Sequence, residues 1–388
     1  MSAVESLSFG CRLNALEAAL LARAPEYAGK VVVNTCAVTA EAEAQARQAI
    51  RRLARERPDS EIVVTGCAAT LRPEAWRDLP GVRAVVPNAR KLAGASQRGA
   101  RLLARAYLEI QNGCDHACTF CAIAAARGPS RSLSLESAVA EARRLVAEGA
   151  NELVLTGVDL TAWGEDLEGR PRLGDLVAAL LDRVRDLPRL RLSSLDVAEI
   201  DPALESLIVS APRLMPHLHL SLQSGDDLIL KRMKRRHDRA QAVAFCRRIK
   251  AARPEIALGA DLIAGFPTED EAAFDNTLRL IADCDLTWLH VFPFSPRPGT
   301  PAARMPAPEP GVAHDRAARL RAAGHAAIGR HLDRVVGREV ELVMENANIG
   351  RAPDYVPVLV DRPAEIGALL RVRISARAGD RLLGSVMA

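Results

Sequence analysis

Residues 106–121, AYLEIQNGCDHACTFC, join a short apolar strand pattern to three closely spaced cysteines. Cys114, Cys118 and Cys121 would share one loop directly after that strand. Three soft thiolate ligands at this spacing suit an iron–sulfur cluster or zinc. A structural zinc site needs four protein ligands, and His116 is the nearby candidate for the fourth. The pattern therefore favours a cluster with one iron left open, and zinc or unmetallated thiols remain the alternatives.

From this loop onward, strand and helix patterns alternate through the middle of the chain. The candidate strands are AYLEIQ (106–111), ELVLTG (152–157), RLRLSS (189–194), HLHLSLQ (217–223), ALGADLIAGF (257–266) and LTWLHVFPFS (286–295). In the first gap Ser134 is a candidate N-cap and Gly149 a candidate helix end. Six such units predict an α/β fold with a curved parallel sheet or partial (βα)6 barrel, which binds ligands at the carboxyl ends of its strands.

The N-terminal region carries a second set of three cysteines. The predicted strands SLSFG (6–10), KVVVNT (30–35) and EIVVTG (61–66) are each followed at once by a cysteine, namely Cys11, Cys36 or Cys67. With helical patterns between them, these strands predict a parallel sheet whose carboxyl ends meet at one edge. The three thiols are therefore expected to converge on a second metal cluster. The alternative is three separate buried cysteines, which behave as small hydrophobic residues.

The C-terminal tail has a different pattern. After a Pro/Gly-rich transition (297–311) and a helical stretch (313–334), the segments REVELVME, YVPVLVD and LLRVRISA read as strands. In the last of these, Arg371 and Arg373 alternate with apolar residues, as in a small β-barrel with a basic outer face. Together with a polar linker (89–99), this division predicts three domains: 1–95 with the first cysteine triad, 100–335 as the barrel, and 337–388 as the tail.

Composition restricts the class of protein. The 388 residues are 49% hydrophobic and 26% charged, an ordinary globular balance. No apolar run is long enough to cross a membrane and no leader pattern begins the chain, so the cytoplasm is the expected location. There, eight cysteines are expected to be thiols or metal ligands. The net charge of +4 is concentrated in basic runs such as 231–239 and 371–377, which are either solvated faces or nucleic-acid contacts.

Taken together, these segments resemble the radical S-adenosylmethionine (radical SAM) methylthiotransferases. The resemblance spans nearly all of the chain and rests on FGCRLNALEA, NTCAVTAEAEAQARQAIRR, VVTGCA, QNGCDHACTFC, ARGPSRS, LTGVDLTAWG, HLHLSLQSGDDLILKRMKRRH, IAGFPTE and FPFSPRPGTPA. It implies a radical SAM barrel and a C-terminal RNA-binding module of the TRAM type. It also implies two 4Fe–4S clusters, with Cys114, Cys118 and Cys121 holding the one that binds and cleaves S-adenosylmethionine. Cys11, Cys36 and Cys67 would hold an auxiliary cluster whose open iron carries the sulfur to be transferred.

The same resemblance implies a substrate and its partners. NTCAVTAEAEAQARQAIRR and LTGVDLTAWG are similar to the subgroup that methylthiolates C2 of N6-threonylcarbamoyladenosine at position 37 of tRNA. One S-adenosylmethionine would methylate the sulfur, and a second would yield the radical that activates the C–H bond. The expected partners are the tRNA anticodon stem-loop, a sulfur donor and a reducing electron donor. The alternatives are an enzyme for isopentenyladenosine tRNA or a ribosomal-protein aspartate, and a zinc-stabilised RNA-binding protein.

Further candidate residues lie at strand ends and in the basic runs. By resemblance, Gly157 and Val158 approach the methionine end of the cofactor, although the chain lacks a clear Gly-Glu pair there. Polar residues that end the fourth barrel strand either line the cofactor cleft or form a turn; these are Ser221, Gln223 and Ser224. Basic residues expected to contact tRNA phosphate, or in the first run a cofactor carboxylate, are Lys231, Lys234, Arg235, Arg236, Arg371 and Arg373.

Overall fold

A computed structural model describes residues 4–92 and 97–387, and its N-terminal part is a parallel sheet. The strands lie in the order β1-β2-β3-β4. The elements are β1 (Glu5–Ser8), α1 (Arg12–Leu21), β2 (Val31–Thr35), α2 (Ala40–Glu56), β3 (Ile62–Gly66), α3 (Cys67–Leu71), α4 (Glu74–Arg77), β4 (Val82–Val86) and α5 (Asn88–Lys91). Helices cover both faces, so β2 and β3 are buried along their whole length. The three predicted strands are confirmed, and β4 adds an edge strand that the sequence reading did not identify.

The central part is the expected partial barrel. Its elements are β5 (Gly99–Leu102), β6 (Arg105–Glu109), β7 (Gln111–Asn112), α6 (Ile123–Arg127), β8 (Arg131–Ser132), α7 (Leu135–Ala147), β9 (Glu152–Thr156), α8 (Leu173–Arg183), β10 (Arg189–Leu192), α9 (Pro202–Ser210), β11 (His217–Gln223), α10 (Asp227–Met233), α11 (Arg239–Ala252), β12 (Ala257–Ala264), α12 (Glu271–Asp283) and β13 (Leu286–Pro293). Strands β6, β9 and β10 pair in parallel, as do β11, β12 and β13. Two parallel bridges, Leu190–Leu214 and Leu195–Leu220, join the two groups.

Residue alternation gives the barrel an outer apolar face and an inner face that carries polar groups. Leu153, Leu155, Leu218 and Leu220 pack under the helices, so their neighbours along the strands point inward. The side chain of Ser134 accepts a hydrogen bond from Ser137 N, which confirms it as the N-cap of α7. The N-terminal helix α1 closes part of the concave side, because its leucines pack on Tyr107 and Val154 together with residues of β5.

The C-terminal part begins with a long helix and ends in a closed barrel. The elements are α13 (Val312–Val335), β14 (Glu339–Met344), β15 (Ile349–Arg351), β16 (Pro357–Val360), β17 (Leu369–Ala378) and β18 (Arg381–Val386), and the strands close in the order β14-β15-β16-β18-β17. Along β17, Val372 and Ile374 are buried, and Arg371 and Arg373 are exposed. The predicted alternation is therefore confirmed.

The floor of the central barrel is filled by charged residues and by a loop from the C-terminal barrel. Glu152, at the start of β9, is fully buried and accepts hydrogen bonds from Arg105 and Arg191. Arg189 lies 3.8 Å from the same carboxylate. The Tyr355 ring enters from below, and the guanidinium carbons of Arg105 and Arg191 lie 5.5 and 4.9 Å from its centroid. The two barrels are thus joined through a buried charged layer.

The predicted polar linker (89–99) is wrong in one respect. Lys91 ends α5 and is 1% exposed, with its Nζ 2.5 Å from Glu17 Oε2. A lysine is buried this deeply only when an anion balances its charge, and no local sequence pattern points to Glu17 as that anion. The predicted boundary at residue 95 lies outside the described residues. None of the helices in the described residues is long and apolar enough to cross a membrane.

Candidate active site

The three N-terminal cysteines converge at the carboxyl edge of the first sheet. Cys36 directly follows β2, Cys67 begins α3 directly after β3, and both are buried, whereas Cys11 lies exposed at the rim. A Cβ built on Gly10 would lie 2.4 Å from Cys36 Sγ, so the Cys11 loop passes directly against that sulfur. Burial, together with the neighbouring thiols of Cys11 and Cys67, raises the pKa of Cys36 to about 11. The parallel sheet thus brings the three thiols together.

The second triad lies on the loop between β7 and α6. The backbone N–H of Cys114 donates to Gly128 O at 3.1 Å, and that of Cys121 donates to Cys118 O at 3.2 Å. Burial raises the pKa of Cys114 to about 12, with further contributions from Asp159, Cys121 and Cys118. The three sulfurs of this loop therefore share one site.

The two triads are neighbours. Helix α6 begins two residues after Cys121, and its Ile123 and Ala126 pack in the same apolar cluster as Cys67. From the last residue of α6, the side chain of Arg127 donates Nε–H to Cys67 Sγ at 3.2 Å. The element that follows one triad therefore contacts a cysteine of the other.

The donor chemistry fits an iron–sulfur cluster at each triad. Soft sulfur ligands in threes leave one position of a four-iron cluster open. Cationic donors face both sets, Arg127 at Cys67 and Arg235 Nη1 at Cys118 Sγ, 3.6 Å away. Such donors stabilise the thiolate form that binds metal.

His116, the possible fourth zinc ligand, is engaged elsewhere. Its Nε2 is paired with Asp159 and lies 3.6 Å from Glu199 Oε1, and hydrogen bonds to these carboxylates raise the pKa of His116 to about 10. Cys114, His116 and Asp159 do form a compact group with ligand atoms within 4.8 Å of one another. A doubly paired imidazolium is nevertheless a poor ligand, because zinc binds neutral imidazole.

The loop after β9, which carries Gly157 and Val158, is fixed beside Cys114. The side chain of Gln111 accepts hydrogen bonds from the backbone N–H groups of Val158 (3.0 Å) and Asp159 (2.9 Å). Asp159 Oδ2 lies 3.7 Å from Cys114 Sγ. Asp159 was not predicted as a site residue from the sequence. Its position, two residues after Gly157 at the end of a strand, could have indicated it.

The residues at the end of β11 divide into two groups. Ser221 O accepts a hydrogen bond from Arg235 Nη2 at 2.7 Å, and Gln223 has a left-handed backbone with φ of 69°. Ser224 is buried, and its Oγ lies 3.2 Å from Thr277 Oγ1 on α12. The structure thus supports the turn-forming alternative for Ser224, and the cofactor assignment of Ser221 and Gln223 stays a prediction.

The basic run after β11 also divides. The side chain of Arg235 is 8% exposed, lies beside Cys118 and pairs with Asp196, so it is positioned at the cluster loop. Arg236 pairs with Asp196 and Glu199. Lys231 and Lys234 are exposed. Burial alone would raise the pKa of Asp196, but the nearby His237, whose Nδ1 lies 3.7 Å from Oδ1, and the charge of Arg235 hold it well below its usual range. The tRNA contacts of Lys231, Lys234, Arg235 and Arg236 stay predictions.

The remaining cysteines lie in the helix layer. Cys246 on α11 and Cys284 at the end of α12 are buried in the main apolar core, and a hydrogen bond between them raises the pKa of Cys246. No short spacing in the sequence pairs these two cysteines, because they come together only through the packing of two helices. Both are core residues of the helix layer.

Comparison with known proteins agrees with this architecture. Residues 108–281 match the model of the radical SAM superfamily, and residues 3–87 match that of the uncharacterized protein family UPF0004. The chain is 43% identical over 95% of its length to the threonylcarbamoyladenosine tRNA methylthiotransferase MtaB of Rickettsia prowazekii, covering 94% of that protein. The chain belongs to the radical SAM methylthiotransferase family. One cysteine triad of this methylthiotransferase lies in each of the two matched regions.

Other relatives are more distant. The chain is 32% identical to the tRNA-2-methylthio-N(6)-dimethylallyladenosine synthase of Erythrobacter litoralis, over 98% of this chain and 96% of that one. Among solved structures, the radical S-adenosylmethionine methyltransferase TsrM of Kitasatospora setae superimposes with a TM-score of 0.54 at 15% identity, covering 72% of this chain and 66% of that one. That likeness supports the radical SAM fold of this methylthiotransferase.

Proposed function

We propose that this chain adds a methylthio group to C2 of N6-threonylcarbamoyladenosine at position 37 of tRNA. The observation that carries the proposal is the pair of adjacent thiol triads, each at the carboxyl edge of its own sheet and linked by α6. Methylthio transfer to an unactivated C–H bond needs both a radical source and a sulfur source, so a single metal site would not suffice. The 43% identity to the Rickettsia prowazekii protein selects the nucleoside.

The ligand assignment follows the two triads. Cys114, Cys118 and Cys121 would hold the cluster that binds S-adenosylmethionine, and Cys11, Cys36 and Cys67 the auxiliary cluster. When bound, these groups supply a carbon radical and a transferable sulfur, which amino acid side chains cannot provide.

The protein's own residues position these groups. Gln111 fixes the loop from Gly157 to Asp159 beside Cys114. Arg235 ties the end of β11 to Asp196 and lies beside Cys118. Ser221 and Gln223 complete the proposed cofactor cleft.

The tRNA is proposed to lie across exposed basic side chains. Lys231 and Lys234 are exposed at the end of α10, which follows β11, and Arg371 and Arg373 line the outer face of the C-terminal barrel. Contacts to phosphate would orient the anticodon stem-loop and contribute little base specificity. A sulfur donor and a reducing electron donor complete the proposed partners. None of the eight cysteines is in a disulfide, which supports a reducing compartment and hence the cytoplasm.

The decisive test compares digested tRNA nucleosides by mass spectrometry in a deletion strain with and without the gene. We expect methylthio-threonylcarbamoyladenosine to be absent without the gene and the unmethylthiolated nucleoside to rise. Loss of the methylthio-isopentenyl nucleoside would instead assign the substrate of the Erythrobacter litoralis relative. No change in either nucleoside would contradict a tRNA substrate and direct attention to ribosomal proteins.

A variant test addresses the two clusters separately. Cys11→Ala should lower the iron content from about eight to about four per chain, keep cleavage of S-adenosylmethionine and abolish methylthio transfer. Cys246→Ala is the matched control, because it removes a buried thiol in the helix layer and should retain about eight irons. Retained methylthio transfer in Cys11→Ala would refute the two-cluster assignment. A colourless protein containing zinc would favour the non-enzymatic alternative.

A further inference from the structure

Arg127 is fully hydrogen-bonded, and one of its bonds goes to a proposed cluster ligand. Its side chain is buried, and each of its five N–H groups has an acceptor. Nε donates to Cys67 Sγ at 3.2 Å. Nη1 donates to Glu17 Oε1 at 2.8 Å and Asn112 Oδ1 at 3.1 Å. Nη2 donates to Asn14 Oδ1 at 2.8 Å and Glu17 Oε2 at 3.1 Å.

These partners connect the segments that carry both triads. Asn14 and Glu17 lie on α1, which begins directly after Cys11. Asn112 lies two residues before Cys114, and Arg127 itself lies six residues after Cys121. One buried guanidinium therefore fixes the position of the barrel cysteine loop relative to the first sheet.

The charges around Arg127 favour an anion at Cys67. Glu17 carries one negative charge, whereas Arg127 and Lys91 carry two positive charges, and all three side chains are buried. These three side chains carry one excess positive charge, which a cluster-bound thiolate at Cys67 would neutralise; the neighbouring buried carboxylate of Glu109 has its own partner in Arg98, 3.8 Å away. A buried uncompensated charge is costly, so the protein is arranged for a ligated sulfur at this position.

We propose that Arg127 is a positioning residue that sets the reduction potential of the auxiliary cluster through its Nε–H bond to Cys67 while holding the two cluster sites together. This inference rests on the proposed function, because it requires a cluster at Cys67. A hydrogen bond to a ligand sulfur stabilises the reduced, more negative state of a cluster and so raises its potential. Loss of a bond to a charged group should lower the ratio of reduced to oxidised cluster at a fixed potential by about tenfold. For a one-electron couple, that factor corresponds to about 59 mV.

The test isolates the auxiliary cluster in the full-length chain. In a background with Cys114, Cys118 and Cys121 changed to Ala, the anaerobically reconstituted protein is titrated electrochemically and followed by electron paramagnetic resonance. Arg127→Gln removes both the positive charge and the guanidinium donors. Arg127→Lys keeps the charge but cannot make the five hydrogen bonds. We expect both variants to retain about four irons per chain. In both, the ratio of reduced to oxidised cluster at a fixed potential should fall by about tenfold or more, which means a lower reduction potential.

The matched control is Lys91→Met. Lys91 is buried and donates to the same Glu17 carboxylate, without donating to the sulfur of Cys67. Its removal takes away one buried positive charge and leaves the Arg127–Cys67 bond in place, so the potential should fall by less than in Arg127→Gln, which loses both the charge and the bond. Asn88 Nδ2, a longer donor to Cys67 at 3.6 Å, gives a graded check: Asn88→Ala should produce a smaller shift in the same direction.

Each outcome decides the question. Unchanged potentials in both iron-loaded Arg127 variants would overturn the inference, as would equal loss of iron in the Arg127 and Lys91 variants, which indicates a purely structural network. If the background protein with Arg127 intact binds no iron, the auxiliary-cluster assignment fails, and this inference fails with it.

Discussion

The charged floor of the central barrel offers a quantitative test through Glu152→Gln. Glu152 is fully buried, and Arg191 holds both of its oxygens at 3.0 and 3.1 Å. Burial alone would raise the pKa of Glu152, but the charges of Arg191 and Arg105 outweigh it and lower the pKa from 4.5 to about 2. At 1.36 kcal/mol per unit, this shift corresponds to about 3 kcal/mol of stabilisation. Breaking a buried ion pair from one side typically costs a similar amount, about 3–5 kcal/mol.

The pH range of this contribution follows from its sign. The folded-state pKa is below the unfolded value, so the stabilisation is fully present above about pH 4.5 and is lost as the pH falls towards 2. The difference between the parent protein and Glu152→Gln should therefore be constant between pH 6 and 8.

Thermal unfolding at pH 7 measures the effect. A loss of about 3 kcal/mol should lower the Tm by roughly 6–12 °C for a domain of this size. Glu136→Gln is the control, because Glu136 pairs with Arg183 on the surface and its loss should leave the Tm unchanged. A Glu152→Gln protein that melts with the parent would refute the reasoning, since it would mean that the arginines are satisfied without their carboxylate.

Two further predictions concern the auxiliary site and the tRNA surface. Gly10→Ala would place a Cβ 2.4 Å from Cys36 Sγ and should reduce the iron content from about eight to about four per chain. Gly29→Ala is the control, because Gly29 has the same left-handed backbone but open space around it, and this variant should keep about eight irons. Equal iron contents in the two variants would contradict the steric argument. Changing Arg371 and Arg373 together to Ala should weaken tRNA binding and reduce the slope of log K against log salt by up to about two, and an unchanged slope in a filter-binding or anisotropy titration would exclude this face from the interface.

The fold could be predicted largely from local patterns. Strand and helix periodicities identified the barrel strands, the cap at Ser134 and the alternation along β17, because each depends on neighbouring residues. The edge strand β4 was missed because VRAVV is short and half-exposed. The buried position of Lys91 was missed because its partner, Glu17, is distant in sequence.

The candidate site was predictable where the cysteines follow strands and much less so around them. A parallel sheet brings strand ends together, so the convergence of Cys11, Cys36 and Cys67 followed from sequence position alone. Arg127 lies within the quoted segment ARGPSRS but was not singled out, because its partners on α1 and at Cys67 are distant in sequence. Arg235 lay within a basic run that suggested RNA contact, and only the tertiary contacts with Asp196 and Cys118 reveal its other role.

The origin of Arg127 outside the first sheet has a consequence for how the protein is made. Cys11, Cys36 and Cys67 leave the ribosome together with the strands that position them, but Arg127 follows 60 residues after Cys67. During synthesis, the N-terminal domain therefore exposes its thiols before the side chain that neutralises and covers Cys67 exists. We expect a nascent or truncated chain ending near residue 92 to hold iron poorly and to be sensitive to oxygen. Delivery of the auxiliary cluster would then come after the barrel has begun to fold, although the cysteines that bind this cluster are synthesised before the barrel.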